Sequence, residues 1–158
     1  MATSIAPEIF KAYDIRGIVD ETLTEDAAEQ IGRGLATMGR EKGVSCFVVG
    51  RDGRLSGPRL AAALAKGLNA GGADVIDIGV VATPMVYFAT HLYGTGSGIM
   101  VTGSHNPPDY NGLKMMVAGD TLAAQAIQDL RKLVEGGQFT TGQGKLETRD
   151  VSTAYLDR

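Results

Sequence analysis

The sequence predicts an α/β domain with helices on both faces of a mixed four-stranded sheet, a three-layer α/β/α arrangement. Three observations lead there. Apolar residues at helical spacing alternate with short apolar runs bounded by glycine. A helical stretch separates each of the first three runs from the next, which is what parallel neighbours need. Only about ten residues, Gly103 to Gly112, join the third run to the fourth, too few for a crossover helix. The first three strands are therefore expected to be parallel and the fourth antiparallel to the third.

Taken in order, Ala27, Ala28, Ile31, Leu35 and Met38 form the first helical stripe, with Thr24 as N-cap and Gly43 as the stop. Cys46 to Val49 is a buried strand ending at Gly50, and its cysteine reads as a buried thiol. Leu60, Leu64 and Leu68 mark the second helix, capped by Ser56 and closed by Gly71-Gly72. Val75 to Ile78 is the second strand. Thr83-Pro84 reads as a cap followed by proline at the first helical position, with the helix running to about Leu92. Ile99 to Thr102 and Leu113 to Val117 are the third and fourth strands, and Leu122 to Val134 is the last helix, its apolar face built from Ala126, Ile127, Leu130, Leu133 and Val134. Gly136 to Lys145 is polar and glycine-rich, a loop, and Thr148 to Arg158 is a short closing segment.

Composition bounds the function. The 158 residues suit one domain with a core of its own, and 44% apolar with 21% charged residues is ordinary for a globular chain. A net charge of -3 supplies no electrostatic case for nucleic acid or an anionic membrane. No apolar run nears the roughly 18 residues of a membrane span, and the N-terminus lacks a signal-peptide pattern. The single cysteine, Cys46, excludes an internal disulfide, so a cytoplasmic location is expected.

Chemistry concentrates in Thr102-Gly103-Ser104-His105-Asn106-Pro107-Pro108-Asp109-Tyr110-Asn111-Gly112-Leu113-Lys114. The loop falls at the carboxyl end of a strand, where open α/β sheets bind ligands. Gly103 permits a sharp turn, Pro107-Pro108 stiffens the chain, and Asn111-Gly112 reads as a tight turn launching the return strand. The residues alone leave two readings open: a reactive loop offering one hydroxyl, one imidazole and one amide, or a surface turn in which Ser104 and Asn106 bond their own backbone. A serine hydrolase fits poorly. His105 is adjacent to Ser104 and would point away from it on extended chain, and Asn106 stands where a Gly-x-Ser-x-Gly elbow needs glycine. Gly94-Thr95-Gly96-Ser97-Gly98 precedes a strand and has the wrong spacing for dinucleotide binding, so it reads as a connector.

Thr102-Gly103-Ser104-His105-Asn106-Pro107 closely resembles the phosphoserine signature of the α-D-phosphohexomutases. Phe10 to Gly17 (Phe-Lys-Ala-Tyr-Asp-Ile-Arg-Gly) resembles the N-terminal motif of their bacterial phosphomannomutase/phosphoglucomutase branch, and Val49 to Gly57 resembles the segment after their first strand. The three stand in family order at comparable spacing. The resemblance implies interconversion of hexose 1-phosphate and hexose 6-phosphate, of mannose or glucose, through a bisphosphorylated sugar. It makes Ser104 the phosphoryl carrier, its phosphate helping to hold Mg²⁺, with a hexose 1,6-bisphosphate as activator. Tyr13, Arg16, His105 and Lys114 match residues lining the reacting phosphate and sugar. The chemistry is consistent: phosphoryl transfer relies on positioning and on cations, which Arg16 and Lys114 carry, and a histidine exchanges protons near neutral pH. Each has a structural alternative: Tyr13 as a half-buried anchor, Arg16 as an ion-pair partner of Asp14, Lys114 as a solvated strand-end charge. Arg51, Asp52 and Arg54 read as an Arg-Asp brace of a turn, and His91 has no assigned role.

The family's Asp-rich magnesium loop, sugar-selecting loop and C-terminal phosphate-binding loop have no counterpart in the sequence. The resemblance thus implies the phosphoserine domain over 1–147, with 148–158 opening a linker to further domains of the same protein. Alone, such a domain is expected to be inactive and to self-associate weakly. A phosphoglucosamine mutase is the runner-up, disfavoured by Ala12 to Arg16, and a non-catalytic sugar-phosphate-binding module is the alternative from outside enzymology.

Overall fold

The computed structural model describes residues 5–157. After a 3₁₀ turn at Pro7–Ile9, the chain forms β1 (Ile15–Ile18), α1 (Glu25–Glu41), β2 (Cys46–Arg51), α2 (Gly57–Ala70), β3 (Asp74–Val80), α3 (Thr83–Leu92), β4 (Gly98–Val101), β5 (Tyr110–Val117), β6 (Asp120–Thr121), α4 (Gln125–Gly136), β7 (Leu146–Thr148) and α5 (Ser152–Asp157). The strands make one sheet in the order β1-β5-β4-β2-β3-β7, with β6 beside β5. The four strands expected from the sequence are its centre. β2 is parallel to β3 and to β4, and β5 returns antiparallel to β4. Three short strands widen the sheet beyond those four: β1 pairs antiparallel with β5, β6 likewise, and β7 pairs parallel with β3.

The pleat sorts the core into two layers. Phe47, Val49, Val75, Ile99, Val101, Leu113 and Met115 face one side, under Ile31 and Leu35 of α1, Leu60, Leu64 and Leu68 of α2, and Ile127, Leu130 and Val134 of α4. Val48, Ile76, Ile78 and Met100 face the other, against Val86 and Ala89 of α3 and Val151 before α5. Helices on both faces and the three-layer arrangement are as expected.

Local details depart from the sequence reading. Thr24 does cap α1, its Oγ1 accepting from the Ala27 N–H at 3.0 Å. Ser56 stands at the N-cap of α2 as expected, but its side chain makes no cap bond; its hydroxyl instead accepts from Asn111 Nδ2 at 2.8 Å. Thr83 is already inside α3, with Ala82 at the boundary and no side-chain cap. Cys46, at the first position of its strand, is half-buried. α4 begins at Gln125 because Asp120–Thr121 is taken by β6, and Ala126 and Leu133 are only partly buried. Asn111-Gly112 is no turn. Both lie within β5, opposite Gly17 and Arg16, and Asn111 is fully buried. The segment expected to open a linker packs back on the domain, with Tyr155 edge-on to Phe88 at 5.4 Å.

Candidate functional site at the Ser104 loop

The loop between β4 and β5 stands at the carboxyl edge of the parallel strands. Ser104 and His105 are both exposed at its tip, and Ser104 adopts a left-handed backbone conformation, φ 51°. A non-glycine residue holds that conformation only where its surroundings determine it. Two sets of bonds do so.

Asp52, just past β2, forms the first. Its Oδ2 accepts from Thr102 Oγ1 at 2.8 Å and from the Gly103 N–H at 3.2 Å, and its Oδ1 accepts from the Arg54 N–H at 3.2 Å. Thr102 Oγ1 in turn accepts from the Ser104 N–H at 3.0 Å.

Arg54 forms the second. Its Nη1 donates to the carbonyls of Pro107 at 2.6 Å and Tyr110 at 3.1 Å. Its Nη2 donates to the carbonyls of Ser104 at 3.0 Å and Asn106 at 2.7 Å, and its Nε lies 3.8 Å from Asp52 Oδ2. Asn106 closes the turn by donating from Nδ2 to the Gly103 carbonyl at 2.9 Å. Gly103 has to be glycine for want of space, because a methyl group there would overlap the Arg54 guanidinium.

The other candidate residues fall around this loop. Arg16 lies on β1 opposite Gly112, and Lys114 is two residues further along β5, so the pleat sets both on the sheet face away from α1 and α2. Gly112 makes room for that approach: a Cβ there would lie 3.0 Å from the Arg16 side chain and would overlap the Ile15 carbonyl. Arg16 Nε donates to Asp14 Oδ1 at 3.1 Å, the ion pair foreseen as its structural alternative. Its side chain remains 40% exposed and borders a cleft of about 400 Å³ with Lys11, Thr22, Asn106 and Tyr110. Tyr13 is 77% exposed, which excludes the half-buried anchor. Lys114 sits mid-strand rather than at a strand end, half-buried. Among the described residues, the side chains of Lys114, His105 and Ser104 make no hydrogen bond or ion pair. A larger concavity, about 510 Å³, lies along the same edge beside Arg51, Asp77, Gly79 and Arg149. Size does not make it the better site: the strained, exposed hydroxyl is at the Ser104 loop.

The sequence matches the profile of phosphoglucomutase/phosphomannomutase alpha/beta/alpha domain I over residues 7–141. The chain belongs to this family. Its similarity to individual members is high: 54% identity over 156 residues with a phosphoglucomutase of Neisseria gonorrhoeae, and 48% over 160 with a phosphomannomutase/phosphoglucomutase of Pseudomonas aeruginosa. These alignments cover 98% and 99% of this chain but 34% and 35% of those proteins, so the chain spans about a third of their length. A crystal structure of a phosphoglucomutase/phosphomannomutase family protein from Burkholderia thailandensis superposes with a TM-score of 0.93 at 48% identity, covering 98% of this chain and 35% of that one. The phosphoglucomutase/phosphomannomutase domain I fold thus agrees with the resemblance of the three motifs.

Sequence reasoning missed the reach of Arg54. The Arg51-Asp52-Gly53-Arg54 stretch suggested a local brace, yet its partners lie some fifty residues away in the chain. Only the match of that stretch to a family motif hinted at more. No group of three or more His, Cys, Asp or Glu that could hold a metal ion occurs among the described residues, and no helix there is long and apolar enough to cross a membrane.

Proposed function

We propose that this chain is the phosphoserine domain of a mutase that interconverts hexose 1-phosphate and hexose 6-phosphate, with Ser104 as the phosphoryl carrier. The observation that carries this reading is the exposed Ser104 on a left-handed, internally bonded turn in a chain of this family. In the forward step the bond between phosphorus and Ser104 Oγ breaks as a new bond forms to a sugar hydroxyl oxygen, whose proton passes to His105, while the leaving Ser104 Oγ takes up a proton and becomes a hydroxyl again. Return of a phosphoryl group from the other end of the bisphosphorylated sugar restores the phosphoserine. Arg16 and Lys114 offset the charge on the transferring oxygens, and Tyr13 contacts the sugar. Such transfers depend on orientation and charge compensation more than on a strong nucleophile.

Mg²⁺ binds hard oxygen donors, often one or two carboxylates with phosphate oxygens. Phosphorylated Ser104 fits one of those positions, the rest of the set coming from outside the described residues. When bound, the ion would neutralise charge on the phosphoryl oxygens. A hexose 1,6-bisphosphate would charge a dephosphorylated Ser104. The family domain would span 1–147, with Thr148 and Val151 docking on it as the start of the connection to later domains, which would complete the cleft. Alone, the domain binds sugar phosphate weakly and does not isomerise it, since water fills the open half-site and weakens each electrostatic contact. Exposed Val80, Leu146 and Leu156 would favour weak self-association.

Phosphate mapping decides the carrier. Tryptic peptides of the intact enzyme should carry phosphate on Ser104, and Ser104→Ala should reduce turnover by several orders of magnitude, about the loss typical of a removed nucleophile. Phosphate on another serine overturns the assignment. A coupled assay of this chain with glucose 1-phosphate, glucose 1,6-bisphosphate and Mg²⁺ should show no turnover; a rate near that of the full-length Neisseria relative overturns the half-site argument.

A further inference from the structure

We infer that Arg54 is the positioning residue of the phosphoserine loop, acting as a sink for the loop's carbonyl groups. Its four terminal N–H groups match four carbonyls one to one: Ser104, Asn106, Pro107 and Tyr110. Asp52 sits at ion-pair distance on the Nε side. The Arg54 side chain is 17% exposed, with its contacts to Tyr110 and Asn106 partly buried and those to Pro107 and Ser104 at the surface. Two consequences follow. A turn that would otherwise fluctuate is pinned at both of its limbs, which fixes the left-handed φ of Ser104. The carbonyl oxygens of residues 104, 106 and 107 are drawn behind the loop, so their negative ends do not crowd the outer side where Ser104 is exposed. A phosphate of nearly two negative charges could not sit among such oxygens without repulsion. The second consequence rests on the proposed role of Ser104; the first does not.

Lysine cannot replace this group. An ammonium has three donors on a flexible stem, whereas the planar guanidinium has five in a fixed fork. Conserving charge should therefore not conserve the loop.

The test compares this chain with Arg54→Lys, and with Arg131→Lys as a control, because the partners of Arg131, Gln128 and Glu135, lie on its own helix, α4. Amide exchange of the peptide spanning 102–112 should be faster in Arg54→Lys by about tenfold or more, while peptides of β2, β3 and α2 keep their protection. Arg131→Lys should leave the 102–112 peptide unchanged. Unaltered exchange in Arg54→Lys overturns the inference. Should that variant not fold, the unsubstituted chain still decides: the four Nη protons of Arg54 should give separate, slowly exchanging NMR signals, and a single averaged signal overturns the inference. In the intact enzyme, Arg54→Lys should lower kcat by about 100-fold, the scale of a misplacement near 1 Å, with KM for glucose 1-phosphate within about threefold. An unchanged kcat alongside a loosened loop removes the catalytic consequence. If instead the unsubstituted enzyme carries no phosphate on Ser104 while the exchange result holds, the proposed function fails and the loop-positioning role stands.

Discussion

Arg51 and Arg54 leave the end of β2 three residues apart, and their surroundings differ sharply. Arg54 reaches into the Ser104 loop, where four carbonyls and Asp52 surround it. Arg51 turns to the corner made by β3 and β7, where Asp77 is 3.6 Å away and its buried Nε finds no hydrogen-bond partner among the described residues. Asp77 is itself engaged, accepting from the Gly79 N–H at 2.8 Å. The loop is closed around its cation and the corner is open around its own. A cation taken out of water stabilises a structure only where its donors find acceptors. By that criterion the Ser104 loop is the pre-organised part of this edge.

Substituting the two regions in parallel breaks or sharpens the contrast. The largest effects are expected at glycine. Gly103→Ala forces a methyl group into the guanidinium and should lower stability by about 1–3 kcal/mol, as overpacking does. Gly79 has open space around its missing Cβ but a left-handed φ of 78°, so Gly79→Ala should cost only about 1–2 kcal/mol, from backbone strain. Urea midpoints of the two variants check the order, and a reversed order would show that the loop absorbs the clash by moving Arg54.

The carboxylates come next. Asp52→Ala strands the Thr102 hydroxyl and the Gly103 N–H and should cost about 1–3 kcal/mol. Asp77→Ala breaks a long, partly exposed ion pair and one part-buried hydrogen bond from the Gly79 N–H, and should cost about 1 kcal/mol, measured by thermal unfolding. At Arg51 the expected change is near zero. Arg51→Met keeps an apolar stem and removes an unpartnered donor, so its midpoint should match or slightly exceed that of the parent chain.

The smallest effect is electrostatic. Asp150, at the rim of the open corner, is held below the ordinary carboxylate range by hydrogen bonds from the Ser152 backbone and hydroxyl. Its folded form therefore binds a proton less readily than its unfolded form. The associated stabilisation is complete above the unfolded value, about 4, and is lost as pH falls through the folded value. Amide exchange of residues 150–156 should show α5 loosening in acid, and Asp150→Asn should flatten that dependence.

Much of this architecture was legible because it is local. The Thr24 cap, the leucine stripe of α2 and the short connection before β5 are properties of neighbouring residues, and each corresponds to a feature of the fold. The Ser104 loop was legible for a second reason: six consecutive residues resemble one family signature. Asn111-Gly112 misled for the opposite reason. That dipeptide favours a turn, yet pairing on both sides of β5 draws it into the sheet, and a bond to Ser56 satisfies the buried amide.

The sequence by itself determined the alternation of helices and strands, the antiparallel return of β5 and the position of the candidate nucleophile. These follow from periodicity, chain length between elements and residue type. Only the tertiary structure decided the rest. β1 and β7 are too short to show a period, and they become strands because β5 and β3 offer unpaired edges. Arg54 finds its carbonyls across some fifty residues of chain, a distance that no local pattern spans. Hydrogen bonds between remote segments exist only once the sheet has brought β2 beside β4. That is why the candidate nucleophile could be read from the sequence and the residue that braces its loop could not.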